Sequence, residues 1–424
     1  MKRLIIPVII LLSALCCNSQ AQTFSQYFKP LTLRIDYLHI GDINNDTYVF
    51  SSYAVQGAWY KSKVNLIDTF EYGNQKVEVF DLSSGTLIYR YTYNTLMGEY
   101  RTTEAGKTTS KSFEECVMIP MPKQDVEIRF YTRKQGAEYE HKYTIFFPVK
   151  QKIASLKPQC KTIDLHISTD YSHAYDLLII PEGYSIQDSA KLLNDVRRGA
   201  QAILECEPYK SNAARINIRA LLSYSQVSGI SRENDSTTTR NTILGTSFYT
   251  LGTERYLMLE NIWRMHDLCA KVPYDAILII CNTHKYGGGG IYNWYATVSD
   301  NVYFDYVCIH ELGHSIAGLA DEYYTSEVSV QDFYPAGTEP AEPNITSLVN
   351  FDKKWKNMLN PGTPVPTEVD ENQPELLGVY EGAGYCARGL YRPWLHCSMK
   401  EIKYNHFCPV CTQAFNKMFD FCTK

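Results

Sequence analysis

The chain has 424 residues and a formal net charge of -5 at pH 7, with 45% hydrophobic and 21% charged residues. This length suffices for two or three domains with their own cores, and the composition is ordinary for a folded soluble protein. A weakly acidic chain without a basic patch gives no reason to expect nucleic-acid binding.

The first 21 residues have the pattern of a cleaved export signal. Two basic residues precede an apolar run over residues 4–15, and Ser-Gln-Ala at 19–21 resembles a small-x-small cleavage site. The run is shorter than the roughly 20 residues that cross a bilayer. A lipid anchor on Cys16 or Cys17 is the alternative, but neither cysteine follows the small residue that lipidation usually needs. We therefore predict export to the periplasm, the cell surface or the medium of a bacterium, with no transmembrane segment.

Residues 22–150 read as a β domain. The stretches LTLRIDY (31–37) and DVEIRFYTRK (125–134) alternate apolar with polar residues, as half-buried strands do. Further short runs are rich in β-branched and aromatic residues: KVEVFD (76–81), LIYRYTYN (87–94) and KYTIFF (142–147). Several such strands without helical periodicity predict an antiparallel β-sandwich. Its many tyrosines indicate either a ligand-binding face or, more simply, a half-buried sheet.

Residues 151–424 change to alternating strands and helices. Such alternation predicts an α/β domain with a mostly parallel sheet covered by helices. Ser185 is placed to cap the first helix. The predicted strands are YDLLIIPEGY (175–184), RINIRALLSY (215–224) and YDAILIICNTH (274–284), and the predicted helices span residues 185–209 and 256–273.

A third predicted helix carries the sequence HELGH. His310 and His314 are four residues apart, so on a helix both imidazoles point from one face toward a single ion. Glu311 follows the first of them, where its carboxylate can reach a water on that ion. Residues 301–320 favour a helix, with Asp300 and Asn301 as caps and Gly318 near its end. Two unrelated histidines on an ordinary helix are the alternative.

A catalytic zinc needs a third protein ligand and an open position. Gly318 can adopt the left-handed conformation that ends a helix and turns the chain back toward the metal. Asp321 then follows three residues later and is the predicted third ligand, with Glu322 as the second choice. The Asp-Glu pair would otherwise bind calcium or cap a turn.

Residues 325–375, rich in Pro, Glu, Asn and Thr, predict an extended surface loop. Within it Asn344-Ile345-Thr346 matches a glycosylation sequon, which carries little weight because the export signal has a bacterial pattern.

Four cysteines crowd the C-terminal part of the chain: Cys386, Cys397, Cys408 and Cys411. They indicate either disulfides or a second, structural zinc site, and export favours disulfides. A redox role lacks the thioredoxin-like context that it would need.

In order along residues 160–424, the stretches DLLIIPEGY, EPY, YDAILIICNTHKYGGGG, HELGHSIAGLADEYY, CSM and FCPVC resemble the bacterial IgA-peptidase-like zinc metallopeptidases, members of the metzincin group. The β-rich N-terminal region resembles the extra domain that precedes some members. In metzincins a glycine follows the second histidine by three residues and the third ligand follows that glycine by three. Here Gly318 follows His314 by four residues, but Asp321 keeps the second spacing, so the resemblance also implies Asp321.

The resemblance implies three further assignments. Met399 in HCSMK looks like the methionine beneath the metal in metzincins; an ordinary buried methionine is the alternative. An oxyanion helper is expected, and Tyr404 is a candidate. An edge strand before the metal-binding helix would hold extended peptide substrate, although a flexible loop is an equal alternative. Its residues are Tyr286, Gly287, Gly288, Gly289 and Gly290.

We therefore predict a zinc-dependent endopeptidase in which Zn²⁺ activates water and Glu311 is the general base. Its substrate would be a protein or peptide, with host glycoproteins among the candidates. The main alternative is a surface protein that binds a glycan or protein on an inactive peptidase scaffold, against which the intact Glu311 argues. A zinc hydrolase acting on amides or esters outside proteins is another. The sequence predicts neither the cleavage specificity nor the oligomeric state.

Overall fold

The computed structural model describes residues 23–134, 136–324 and 333–424. The predicted export signal and residues 325–332 of the predicted loop lie outside these ranges. Among the described residues, no helix combines the length and the apolar character that crossing a membrane requires.

The N-terminal region folds into two four-stranded sheets. One has the strand order β5-β1-β2-β8 and the other β4-β3-β6-β7, and their neighbouring strands pair antiparallel except for β8, which lies parallel to β2. The strand bounds are β1 Phe28–Gly41, β2 Asp46–Ala58, β3 Gln75–Asp81, β4 Leu87–Tyr93, β5 Lys111–Pro122, β6 Val126–Thr132, β7 Glu140–Phe147 and β8 Ala154–Ser155. Two short helices, α1 Phe24–Tyr27 and α2 Leu96–Tyr100, complete this region. The five predicted strand stretches lie in β1, β3, β4, β6 and β7, which confirms the β-rich assignment.

The second region contains a six-stranded mixed sheet with the order β13-β14-β12-β10-β11-β9. The central strands β11, β10, β12 and β14 are parallel, while β9 and β13 are antiparallel edges. The strand bounds are β9 Lys161–His166, β10 Tyr175–Glu182, β11 Ile216–Leu222, β12 Ala276–Cys281, β13 Gly288–Ile291 and β14 Tyr295–Ser299. The three predicted strands coincide with β10, β11 and β12.

Both faces of this sheet are covered. Along β10, Leu177 and Ile179 pack into one core with α3 (Ser189–Glu205), α5 (Phe304–Ala317) and α6 (Pro409–Thr423). Leu178 and Ile180 point the other way, into a core shared with the N-terminal sheets and α4 (Ile262–Leu268). Burial on both faces explains why residues 177–180 of β10 are all apolar instead of alternating with polar residues.

The predicted helix over residues 256–273 is too long. Only Ile262–Leu268 is helical. Met258 instead exchanges backbone hydrogen bonds with Ser247, and Tyr256 forms a bridge with Gly288. These pairings bury Leu257, Met258 and Leu259 as a continuous apolar run, which a single helix face would not do.

The other predicted helix, residues 185–209, begins as a short 3₁₀ turn over Ile186–Asp188 and continues as α3. Ser185 and Asp188 form a reciprocal capping box, so the predicted role of Ser185 is confirmed. A C-terminal hairpin, β15 (Tyr380–Ala383) and β16 (Cys386–Arg392), lies between the loop region and α6.

Candidate metal centre

The HELGH sequence lies on α5, as its spacing predicts. The helix begins later than the predicted caps: its N-cap is Tyr303, whose backbone N–H donates to Asn301 Oδ1 at 2.6 Å. At the other end Gly318 has φ 61° and is the left-handed C-cap. The N–H of Gly318 donates to His314 O at 3.1 Å and that of Leu319 to Gly313 O at 3.2 Å, which turns the chain back along the helix.

This turn brings Asp321 against both histidines. Asp321 Oδ1 is 3.0 Å from His310 Nε2 and 3.4 Å from His314 Nε2, and the two Nε2 atoms are 3.2 Å apart. Ligands bound tetrahedrally at the usual zinc distances would be about 3.3–3.6 Å from one another. The three side chains therefore form one face of a tetrahedron with nearly the dimensions that zinc requires.

The far side of each imidazole is hydrogen-bonded to a backbone carbonyl. His310 Nδ1 donates to Ser398 O at 2.8 Å and His314 Nδ1 donates to Leu319 O at 2.6 Å. Because carbonyl oxygens only accept, both Nδ1 atoms carry hydrogen and the Nε2 atoms can face a cation with their lone pairs. This is the usual arrangement of outer partners around a metal-ligating histidine.

The charges within this triad are strongly coupled. Burial opposes a positive imidazole, but Asp321 outweighs it and raises the pKa of His310 and, to about 9, that of His314. The pKa of Asp321 is correspondingly held far below its usual range, despite burial. Among the described residues, no hydrogen bond of acceptable geometry reaches its buried Oδ1 atom. The donor set and this unsatisfied oxygen fit a divalent cation such as zinc.

The loop that carries Asp321 is held by buried hydrogen bonds. Tyr385 donates its hydroxyl to Asp321 Oδ2, and the N–H of Gly384 donates to Asp321 O at 2.9 Å. Asn344 accepts from Ala320 N at 2.8 Å and donates to Ala320 O at 2.9 Å. The asparagine of the sequon is thus fully buried, so its role in the folded protein is to fix this loop.

Glu311 faces a cleft of about 610 Å³ whose wall also includes the three candidate ligands. Burial raises the pKa of Glu311, although the two neighbouring histidines oppose the shift. Gly288 of β13 lies on the other side of this carboxylate. The arrangement places a carboxylate beside the candidate metal position and open to the cleft, as a general base requires.

The glycine-rich segment forms β13, an edge strand against α5. A Cβ at Gly290 would lie 2.2 Å from Glu311 O, and one at Gly289 would lie 2.3 Å from Met258 Sδ. Gly290 therefore lets the backbone of α5 come close on one side of β13, and Gly289 lets the side chain of Met258 come close on the other. The bridge from Tyr256 already pairs with the outer edge at Gly288. Tyr286, Gly288, Gly289 and Gly290 line the cleft, whereas Gly287 packs against Phe248 and Arg255.

The remaining sequence candidates lie in different places. Met399 is fully buried beneath α5, and its Sδ would be 2.8 Å from a Cβ at Gly313. Glu322 points away from the histidines, into a group with Cys397, Cys408 and Cys411.

Tyr404 stacks on His396 with ring centroids 4.3 Å apart and lies outside the cleft wall. Two tyrosines in that wall contact the candidate ligands instead: the Tyr306 hydroxyl lies 3.2 Å from His310 Nδ1, and Tyr385 donates its hydroxyl to Asp321 Oδ2. Tyr306 precedes His310 by four residues on α5, a helical spacing that could have identified it, whereas Tyr385 is 64 residues from Asp321 and has no local signal.

The disulfides that export favours do not form. None of the cysteines in the described residues is in a disulfide. Cys386 lies on β16, packed near Ala383 and Leu390, and is not part of the group formed by the other three cysteines.

The sequence gives no signal for two further cleft residues. Asn94 and Glu99 come from the N-terminal region, and Glu99 accepts a hydrogen bond from Tyr256 OH. Only folding brings them beside a site more than 200 residues away, so no local motif could have identified them.

Two models of known protein families match the chain. A family model described as IgA Peptidase M64 matches residues 163–376 and 368–419, and one described as Peptidase M64 N-terminus matches residues 23–144. No curated protein matches the chain. The first match alone covers more than half of the chain and includes HELGH, Asp321 and Met399. The chain therefore belongs to the IgA Peptidase M64 family of metallopeptidases and is itself a peptidase.

Proposed function

We propose that the chain is an exported, zinc-dependent endopeptidase with a metzincin-like catalytic domain. His310, His314 and Asp321 would hold the zinc and Glu311 would be the general base. The observation that carries this proposal is the convergence of two Nε2 atoms and one buried carboxylate oxygen, 3.0–3.4 Å apart, beside a carboxylate in an open cleft.

Zinc at this position would polarise the scissile carbonyl and make a nearby water acidic enough to react near neutral pH. Glu311 accepts a proton from the attacking water and returns it to the leaving amine. Its raised pKa brings its proton affinity closer to the pH at which both transfers must occur. The hydrogen bonds from His310 and His314 to Ser398 O and Leu319 O keep both rings in one orientation throughout.

The substrate class that suits the cleft is an extended peptide. β13 runs along the cleft beside α5, and its outer edge beyond Gly288 is positioned to pair with a peptide backbone. Tyr286, 39% exposed, precedes β13 in the same cleft wall and can contact a substrate side chain. Proteins, host glycoproteins among them, would be bound in this way.

The test compares the wild-type chain with Glu311→Gln on a diverse peptide library. We expect the substitution to reduce kcat/KM by about 10²–10⁴-fold, the usual contribution of a general base, while zinc content stays unchanged. Glu205→Gln, at an exposed position on α3, is the control and should cleave like wild type. Removing zinc with a chelator should abolish cleavage, and adding it back should restore cleavage.

A wild-type chain that binds zinc in this triad but cleaves no peptide would contradict the catalytic proposal. Export is tested separately by N-terminal sequencing of the natural protein, which should begin after Ala21.

A further inference from the structure

A second group of metal-ligand atoms lies near the candidate catalytic centre. It consists of Glu322, Cys397, Cys408 and Cys411, called here the cysteine cluster. All four side chains are fully buried, and one ligand atom from each lies within 4.8 Å of the others. We propose that the cysteine cluster binds a structural zinc ion through three thiolates and one carboxylate.

The spacing of the atoms agrees with one tetrahedral ion. Cys397 Sγ and Cys411 Sγ are 3.9 Å apart, and Cys411 Sγ is 3.4 Å from Glu322 Oε1. With zinc–sulfur distances near 2.3 Å and zinc–oxygen distances near 2.1 Å, the corresponding tetrahedral edges are about 3.8 and 3.6 Å. Four protein ligands leave no open position, which is the mark of a structural site.

Backbone N–H groups and a helix N-terminus face two of the three sulfur atoms. The N–H of Cys408 donates to Cys397 Sγ and that of Cys411 donates to Cys408 Sγ, both at 3.4 Å. Cys408 is also the N-cap of α6, where the helix dipole stabilises negative charge. These interactions orient the sulfur atoms of Cys397 and Cys408 toward the centre of the cluster before any ion is bound.

Without a cation, the carboxylate of Glu322 is poorly accommodated. Asn344 donates to its Oε1 at 3.0 Å, but its buried Oε2 has no hydrogen-bond partner among the described residues. A disulfide between any two of the cysteines would leave the third sulfur and this carboxylate buried together. One cation satisfies all four groups at once, because a buried charge needs a partner.

The cysteine cluster adjoins two segments that position the candidate catalytic ligands. Glu322 directly follows Asp321, and its N–H donates to Met399 O at 2.8 Å. Cys397 directly precedes Ser398, whose carbonyl accepts from His310 Nδ1. An ion here would join the loop that carries Asp321, the segment around Met399 and the start of α6. It would thereby help to fix the positions of Asp321 and His310.

The first test is metal analysis of the purified full chain and three variants. We expect two zinc ions per chain in wild type, one in His310→Ala/His314→Ala, and one in Cys411→Ser. The control Cys386→Ser, in the cysteine that lies outside the cluster, should retain two. Loss of all zinc from the double histidine variant would overturn the proposal. Failure of the catalytic proposal can be distinguished from failure of this one, because wild type would then bind zinc without cleaving peptides.

A second measurement covers the case in which Cys411→Ser does not fold. Cobalt replacing zinc in wild type should show sulfur-to-cobalt charge-transfer absorption, and His310→Ala/His314→Ala should retain it. Counting thiols under denaturing, non-reducing conditions should find Cys397, Cys408 and Cys411 all reduced. A disulfide among them, or cobalt absorption without the sulfur band, would contradict the site.

Discussion

Asp321 is positioned by neighbours on three sides. Its carbonyl accepts from Gly384, its Oδ2 atom accepts from Tyr385, and its Oδ1 atom faces the two histidines. A carboxylate held this way has little freedom to rotate, so the oxygen offered to a metal is always the same one. The hydroxyl of Tyr385 is thus an outer partner of the proposed zinc, comparable with the carbonyls that orient the histidines.

Replacing Tyr385 by phenylalanine should weaken the proposed catalytic zinc without removing it. The substitution deletes the hydrogen bond to Asp321 Oδ2 and keeps the ring, which lies 5.5 Å from that of Tyr323. Loss of an outer partner typically costs about 10–100-fold in metal affinity or activity. Competition with a chelator of known affinity measures the change.

The control for this substitution is Tyr139→Phe. Tyr139 also donates its partly buried hydroxyl, to Gly73 O at 2.5 Å, but it lies in the N-terminal region. Equal zinc affinity in Tyr385→Phe and Tyr139→Phe would show that the hydroxyl of Tyr385 does not support the ligand.

At the scale of elements, the site depends on how closely β13 approaches α5. Gly288 and Gly290 face the helix, and Gly289 faces Met258 on the opposite side. A side chain at any of the three would separate the edge strand from the helix that carries both histidines. These glycines therefore allow β13 and α5 to pack closely. This role is independent of any contact between the outer edge of β13 and substrate.

Gly290→Ala should therefore damage both stability and activity. Its Cβ would lie 2.2 Å from Glu311 O and 2.9 Å from His314 Cβ, so α5 must shift. Overpacking of this kind costs about 1–3 kcal/mol, and displacing a catalytic group by about 1 Å can reduce activity about 100-fold. Thermal unfolding and kcat/KM report the two effects.

Gly98→Ala in α2 is the matched control. There the nearest atom to the new Cβ would be Gln75 Nε2, at 3.3 Å and at the end of a flexible side chain. If Gly290→Ala unfolds and cleaves like Gly98→Ala, the strand and the helix are not as tightly packed as described.

Local patterns predict most of these elements, but not the contacts between distant ones. The five β stretches, the three parallel strands and α5 follow from residue periodicity within short windows. The helix predicted over residues 256–273 fails because backbone pairing of Met258 with Ser247 overrides its local pattern. The cysteine cluster also depends on contacts between residues that are far apart in the sequence. The cysteine spacing therefore shows neither that Glu322 joins Cys397 nor that Cys386 lies elsewhere.

At the scale of the whole molecule, the N-terminal sheets cover one face of the six-stranded sheet and share an apolar core with it. Leu178 and Ile180 of β10 belong to the same apolar cluster as Val77 and Ile128. Buried polar contacts cross the same boundary: Gln56 Nε2 donates to His266 O at 2.6 Å. The two regions therefore share a hydrophobic core, in contrast with modules joined only by a linker.

Removal of residues 1–150 should consequently prevent residues 151–424 from folding cooperatively. The truncated chain would expose the apolar face of β10 and β12 that the N-terminal sheets now cover. Thermal melting by circular dichroism should show no sharp transition, while the full chain shows one. A truncated chain that melts cooperatively and cleaves peptides would establish the β region as an independent module.

Glu99 is one of the residues through which the N-terminal region reaches the cleft, and its carboxyl group should make stability depend on pH. Burial raises its pKa from 4.5 to about 7, against the opposing hydrogen bond from Tyr256. The folded state therefore binds more protons than the unfolded state between these pH values, so stability should fall as pH rises through that window. Such a shift corresponds to at most about 3 kcal/mol, and the partial exposure of Glu99 reduces it.

Glu99→Gln should remove this dependence, because the amide oxygen still accepts from Tyr256 but cannot ionise. The variant should match wild type below about pH 4.5 and become the more stable of the two as the pH rises to 7 and above. Melting temperatures of both proteins, measured across this range, give the comparison. Glu104→Gln, at an exposed position paired with Lys107, controls for loss of a carboxylate. Parallel curves for wild type and Glu99→Gln would mean that Glu99 ionises as freely in the folded chain as in the unfolded one, and that the N-terminal wall of the cleft is open to water.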